Sequence, residues 1–287
     1  MHDRYWVNIP ARIIRGRWHG YRMKLDLADW SDRITYFLGR YCQVDIQLLL
    51  NHTLRPGERF VDVGANNGMV ALHGASLVGA SGLVEAIEPN PSCCDRIREQ
   101  IQLNAISHLH VHQCALSDEA GPCELKTVAG HTGFITLRAM ADDDRRVYSK
   151  TIDVQALRAD DILREDPRTV SVIKIDVEGY ECHVLRGFKQ TIEKDRPILV
   201  SEVSRYCLER ADSSAEALFA IMAGYGYRGF RISHAIRNRR YVLVLRPADT
   251  VEETPDCDVA WIHPEDPRMR SLAHFVLQGC QRASRAA

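Results

Sequence analysis

From residue 59 onward, short apolar runs alternate with longer amphipathic stretches. The runs RFVDV (59–63), GLVEAIE (82–88), LHVHQC (109–114), VSVIKID (170–176), ILVSEV (198–203), YRGFRI (227–232) and YVLVLR (241–246) have the length and composition of strands. Between most of them lie helical runs: MVALHGASLVG (69–79), CCDRIREQIQLNA (93–105), VLRGFKQTIEKD (184–195) and SSAEALFAIMAGYG (213–226). Such alternation predicts a parallel, doubly wound α/β sheet. The last two runs are joined through SHAIRNRR, too short for a helical crossover, so they should pair antiparallel. The expected architecture is a Rossmann-like, seven-strand, mostly parallel sheet with an antiparallel last strand.

Three segments fall outside this rhythm. Residues 1–55 predict an N-terminal cover: a hairpin in RGRWHGYRMKLDL and a helix over Val44–Leu54, stopped by Arg55-Pro56-Gly57. Residues 115–160 form an insertion with the short strand-like runs ELKTV, GFITLR and KTIDVQAL, a loop at 130–133 and a charged tip, DDDRR, at 142–146. Such an insertion is placed to cover a site and select its substrate. Residues 247–287 read as a C-terminal extension, Pro- and acid-rich at first, with a short helix over Met269–Leu277. The sheet domain is therefore expected to span 56–246.

Composition narrows the class. The chain has 287 residues, 45% hydrophobic and 26% charged, with net charge -1. That balance suits a soluble globular protein with a substantial core and gives no global attraction to nucleic acid or to an acidic membrane. The basic residues of the N-terminal segment read as solvated strand faces. No apolar run reaches the roughly 20 residues of a membrane span. MHDRYWVNIP lacks an apolar signal core, and the nine cysteines form no C-x-x-C pair. The expectation is a cytoplasmic protein with free thiols.

The candidate chemistry starts at FVDVGANNG (60–68), a buried strand, a glycine turn and a helix N-terminus. The dinucleotide fingerprint G-x-G-x-x-G is not met, because Asn66 replaces the middle glycine. Asp62 at the strand end is a poor neighbour for a pyrophosphate and a good one for a ligand carrying cationic groups. S-adenosylmethionine, with an ammonium, a sulfonium and no phosphate, fits the turn formed by Gly64, Asn66, Asn67 and Gly68. Glu88, 20 residues beyond Gly68, is placed to accept both ribose hydroxyls, with Asn90 beside the adenosine. Ala115, Leu116 and Asp118 of ALSD follow the third strand and are candidates for the adenine edge. The fourth strand ends in IKIDVEGYE, which places Asp176, Glu178 and Glu181 at a strand end and helix start, with His183 one turn further. Ser201 and Glu202 end the fifth strand. His108, His110 and His112 alternate in the manner of a metal face, but belong on the outer face of an edge strand, away from the cleft.

FVDVGANNG, AIEPNP, ALSDEAG, IKIDVEGYECHVLRG and ILVSEV occur in order over about residues 40–245. Together they resemble the FkbM-type family of S-adenosylmethionine-dependent methyltransferases. The resemblance implies a class I methyltransferase fold and O-methylation of a sugar or specialised metabolite. It implies cofactor-turn roles for Asp62, Gly64, Asn66 and Gly68, a ribose role for Glu88, and a fourth-strand signature in Asp176, Glu178, Gly179 and Glu181. The family often has a glutamate after Gly-x-Tyr upstream, where this chain has Cys42.

The expected reaction is in-line methyl transfer to an acceptor oxygen, in which the protein aligns the reactants and excludes water. Asp176 and His183 are the candidate bases, with Glu178 or Glu181 orienting. Asp176 and Glu178 have the oxygen chemistry of metal ligands, but nothing in the spacing requires a metal. The expected partner is a small-molecule hydroxyl acceptor, sugar or polyketide-like, and not nucleic acid. Competing readings are a nicotinamide-dependent oxidoreductase, which lacks its middle glycine and a Tyr-x-x-x-Lys pair here, and a silent S-adenosylmethionine-binding domain, which the acids at three strand ends argue against.

Overall fold

The computed structural model describes residues 5–128, 131–136, 150–248, 250–251 and 256–276. An antiparallel hairpin, β1 (Arg12–Arg15) and β2 (Arg22–Leu25), opens the chain, followed by α1 (Trp30–Leu38) and α2 (Val44–Thr53). Then come β3 (Arg59–Val63), α3 (Met69–Val78), β4 (Leu83–Ile87), α4 (Pro91–Asn104) and β5 (Leu109–His112). The insertion supplies β6 (Ala115–Leu116), β7 (Gly121–Val128), β8 (His131–Thr136) and β9 (Lys150–Leu157). The second half runs α5 (Ala159–Leu163), β10 (Val170–Ile175), α6 (Glu181–Gly187), α7 (Lys189–Asp195), β11 (Ile198–Val203), α8 (Arg205–Arg210) and α9 (Ala215–Gly224). It closes with β12 (Arg228–Arg237), β13 (Arg240–Pro247), β14 (Cys257–Ile262) and α10 (Met269–Leu272).

The main sheet has the order β13-β12-β14-β11-β10-β3-β4-β5. All the expected strands are in it, and β12 pairs β13 antiparallel as their short connection requires. The sheet nevertheless has eight strands, not seven. The additional one, β14, is inserted between β11 and β12 and runs antiparallel to both. The sheet therefore extends past residue 246 into the segment read as an extension. The apolar signal of β14 is only VAWI, masked by the acidic stretch before it. Its last four residues are buried, with Trp261 packed edge-on against Phe219 at 4.8 Å and donating from Nε1 to Ser201 Oγ at 2.9 Å.

Strand alternation divides the core between the two faces of the sheet. Phe60, Val84, Val172, Val200 and Ala260 join α2, α3 and the N-terminal cover on one face. Val61, Val63, Ile173, Leu199 and Trp261 pack with α6, α7 and α9 on the other. Asp29 caps α1, its Oδ1 accepting from the backbone N–H of Ser31 and Asp32, and Gly39 ends that helix in the left-handed region. Asn90 caps α4 in the same way, with Pro91 at the first helical position. The run at 184–195 is two helices, because the chain breaks at Phe188.

The insertion forms a second sheet of order β6-β9-β7-β8. Residues 131–133, read as loop, open β8; the charged run at 142–146 and residue 277 of the last predicted helix lie outside the described residues. Among the described residues no helix is long and apolar enough to cross a membrane.

Candidate functional site

Strand order reverses at β3, between β10 on one side and β4 on the other, so a crevice opens at the carboxyl ends of these strands. A cavity of about 320 Å³ occupies it. Gly64 makes the crevice geometrically possible. It turns the chain at φ 69°, and a Cβ there would stand 1.8 Å from the backbone carbonyl oxygen of Asp176. Only glycine lets the ends of β3 and β10 pass this closely.

One end of the cavity is built from the turn after β3 and the end of β4. Glu88 is buried and accepts at both oxygens, from the backbone N–H of Asn66 at 2.8 Å and of Asn90 at 2.9 Å. Burial pushes its carboxyl up to about 7, against the pull of those two donors. Each oxygen keeps a free lone pair, so the carboxylate is fixed in direction and still able to accept. Asn67 donates to Asp32 Oδ1 at 3.3 Å, while its own Oδ1 is buried without a partner. Asp32 is fixed in turn by Arg96 and by the backbone N–H of Asp26. Gly64, Asn66, Asn67, Glu88, Ala115 and Leu116 all line the cavity, with Leu125 reaching in from β7.

The other end is built from β10, β11 and the link before α2. Lys174 lies inside β10 and is buried. Its Nζ sits 3.4 Å from Asp62 Oδ1 and 3.3 Å from Asp176 Oδ2, and donates to the Gly64 carbonyl at 3.2 Å. Burial opposes its charge, but Asp176 and Asp62 outweigh burial and keep it protonated. Gln43 Nε2 donates to Asp176 Oδ2 at 3.2 Å, leaving Gln43 Oε1 buried without a partner. Glu178 takes a positive φ of 53°, and burial, then Asp176 and Glu202, push its carboxyl up to about 8. Burial and Asp176 push Glu202 up to about 7. Tyr41, Gln43, Lys174, Asp176, Glu178, Tyr180 and Glu202 line this end.

Several expected residues stand elsewhere. Asp62 lies behind the cavity wall, under Lys174. Gly68 caps α3, and a Cβ there would meet Ile97 rather than the cavity. Asn90 caps α4. Glu181 is buried and its Oε1 accepts from the backbone N–H of Val177 and Gly179, so it organises the turn after β10 instead of facing the cleft. His183 and Asp118 pair with each other at 3.1 Å outside the lining. The alternating histidines diverge: His108 bonds the Ala75 carbonyl, while His112 bonds Glu85. Among the described residues no three His, Cys, Asp or Glu side chains are arranged to hold a metal ion.

Lys174, Tyr41 and Gln43 went unrecognised as parts of the site. A lysine inside the apolar run VSVIKID was the available signal, since a charge there must find buried partners. Gln43 carries no comparable mark in the sequence.

Comparison with known proteins gives the chain a family. The model of the methyltransferase FkbM domain matches residues 62–228. Methyltransferase 1 of Beauveria bassiana is 30% identical over 151 residues, 46% of this chain and 59% of its own length. The 31-O-demethyl-FK506 methyltransferase FkbM of Streptomyces tacrolimicus is 29% identical over 206 residues, 61% of this chain and 74% of its own. A solved structure of methyltransferase FkbM from Methylobacillus flagellatus overlaps 81% of this chain and 60% of its own, at 16% identity and a TM-score of 0.42. The matched part of this chain thus spans less than two thirds of the Beauveria relative. With the family model covering more than half of its residues, this chain belongs to the FkbM family of S-adenosylmethionine-dependent methyltransferases.

Proposed function

We propose that the chain transfers a methyl group from S-adenosylmethionine to a hydroxyl oxygen of a small molecule, a sugar or a specialised metabolite. The observation that carries this reading is the continuity of one cavity from Glu88 to Asp176 and Glu202. It offers a fixed acid for a ribose diol at one end and carboxylates for a hydroxyl group at the other. Buried oxygens without partners, on Asn67, Gln43 and Glu202, are the mark of a pocket whose ligand brings hydrogen-bond donors. The Streptomyces tacrolimicus relative carries an O-demethylated acceptor in its name, which supports oxygen as the methylated atom.

In this reading S-adenosylmethionine supplies the methyl carbon, and the protein's own groups do the rest. Glu88 takes the ribose hydroxyls, and the turn at Gly64 to Asn67 borders the amino-acid part. Ala115 and Leu116 flank the base. Lys174 holds Asp176 in place, and Asp176 with Glu178 orients the acceptor hydroxyl. Tyr41, Trp30 and Leu125 narrow the mouth and exclude water. Glu181, His183, Asn90 and Asp118 support the scaffold.

The test is calorimetric titration with S-adenosylmethionine, NAD and NADP in parallel. S-adenosylmethionine alone should bind, in the micromolar range. Incubation with methyl-labelled S-adenosylmethionine and a panel of sugars and polyketide alcohols should then place the label on oxygen. Binding of NAD in its stead would sink the reading.

A further inference from the structure

Glu202 ends β11, and its neighbours across the sheet are carboxylates. Lys174 is level with Val200 in the parallel β10–β11 pair, which brings Asp176 level with Glu202. Glu202 is in turn paired directly with Asp258 on β14. Asp176, Glu202 and Asp258 thus form a row on one face of three adjacent strands, which stand about 4.8 Å apart. Three carboxylates so placed resist ionising together. The cation next to the row, Lys174, is shared among Asp62, Asp176 and the Gly64 carbonyl. Asp176 is also held by Gln43. Glu202 Oε2, by contrast, is buried without a partner in a residue that lines the cavity. Glu178 and Glu181 face it from the turn after β10 and from α6, Asp256 and Cys257 from the start of β14, and Cys207 from α8. Apart from Lys174, none of these groups is a cation.

We propose that Glu202 takes the proton of the acceptor hydroxyl, and that the sulfonium charge of the methyl donor keeps Glu202 ionised until transfer. The proposal rests on the reading of the cavity as a site for S-adenosylmethionine. The balance is complete. The acceptor oxygen bonds the methyl carbon. The methyl–sulfur bond breaks, and its electron pair stays on sulfur, which becomes neutral. The O–H bond breaks and its proton passes to Glu202 Oε2. Burial and Asp176 raise Glu202 to about 7, so it is divided between its two forms near neutrality. A cation entering the cavity favours the carboxylate. Once sulfur is neutral that pull is gone, and the crowded row keeps the proton.

Calorimetry separates this from the cofactor reading, since it needs no acceptor. S-adenosylmethionine and S-adenosylhomocysteine differ by the methyl group and the sulfonium charge. Titrating each near pH 7, in two buffers of different ionisation enthalpy, counts the protons released on binding. S-adenosylmethionine should release roughly 0.3–0.5 proton more than S-adenosylhomocysteine, as expected for a carboxyl lowered by about one pH unit. Glu202→Gln should bind both and lose at least half of the difference, the remainder coming from Glu178 and Asp258, which are raised as well. Equal proton counts in the unaltered chain, or an undiminished difference in Glu202→Gln, overturns the proposal. Should Glu202→Gln not fold, Asp258→Asn carries the test. Removing the neighbouring charge lets Glu202 ionise by itself, so the difference should shrink at least twofold, and an unchanged difference overturns the assignment. If neither ligand binds, the cofactor reading fails first and this proposal falls with it.

Discussion

The two ends of the cavity are built on different principles. At the Glu88 end, one buried carboxylate is satisfied by two backbone donors, from residues 22 positions before it and two after it. At the Lys174 end, a buried ammonium and several carboxylates come from β3, β10, β11 and β14, and a glutamine from residue 43. The first end is a local turn whose charge is solvated by the chain itself. The second is assembled from distant segments and balances charge against charge. Backbone donors are fixed by the fold and do not titrate. Crowded acids respond to pH and to any cation that arrives. The contrast suits a ligand held at one end and transformed at the other.

The largest effect should come from removing the buried cation of the charged end, Lys174. Lys174→Met leaves Asp62 and Asp176 facing each other without their shared partner. Breaking a buried pair from one side costs about 3–5 kcal/mol. A melting temperature lower by roughly 10 °C is expected in thermal denaturation. Adding Asp62→Asn to that variant should restore more than half of the loss. A melting temperature changed by less than about 2 °C would mean that this end tolerates uncompensated carboxylates, and the contrast with the Glu88 end would collapse.

Next in size is the backbone-satisfied end. Glu88→Gln keeps the shape but replaces one acceptor oxygen with a donor, so an amide N–H of Asn66 or Asn90 meets another N–H. That clash is present with or without ligand and lowers stability by about 1–3 kcal/mol; a ribose hydroxyl left without its acceptor costs a similar amount on binding, roughly 10- to 100-fold in S-adenosylmethionine affinity. Titration calorimetry reads it directly. Unaltered affinity would remove Glu88 from ribose recognition.

These two ends also differ in how far they could be read from the sequence. FVDVGANNG and AIEPNP contain Glu88 and both of its backbone donors, at most 22 positions away, although Asp32, which holds Asn67, lies outside them. Asp176, Glu178 and Glu202 were recognisable as acids at strand ends. Their partners were not. Gln43 meets Asp176 across 133 positions. Asp258 sits on a strand whose apolar run is too short to announce itself, and only its insertion between β11 and β12 brings it beside Glu202. Glu181 and His183 illustrate the converse. Their positions after the signature suggested the cleft, but the turn at Gly179 directs Glu181 back onto the backbone and hands His183 to Asp118. Motif spacing reports where backbone goes; it does not report which side chains the fold has already occupied.

A smaller effect follows from titration. Glu178, Glu202 and Asp258 are all raised, first by burial and then by one another or by Asp176, to about 8, 7 and 7. A carboxyl whose folded value is raised binds more protons folded than unfolded between the two values. Its contribution to stability is therefore present at the acidic side and is lost as pH rises from about 4.5 to 8. The ligand-free chain should thus give up part of its stability over that window. Glu202→Gln should flatten the decline by removing one of these groups, shifting the melting temperature upward by a few degrees at pH 8 and hardly at all at pH 5. A decline just as steep in the variant would mean that Glu202 does not titrate in this window.

The smallest effect expected is at His183, and it tests where the site stops. The imidazole is tilted against Tyr180 at 5.1 Å and bonds Asp118 at 3.1 Å, and both partners of that pair are about one-third exposed. A pair this exposed contributes within about 1 kcal/mol. His183→Ala should therefore change S-adenosylmethionine affinity and methyl transfer by less than about threefold, with stability within about 1 kcal/mol of the unaltered chain. The paired measurement matters more than either value. If transfer fell a hundredfold while affinity and stability held, the charged end would have to extend past Tyr180 to α6 and the insertion, and proton removal would belong to the His183–Asp118 pair. The row at Glu202 would then be a structural burden, because a base outside the cavity wall can serve the acceptor only if the acceptor itself reaches across Tyr180 to meet it.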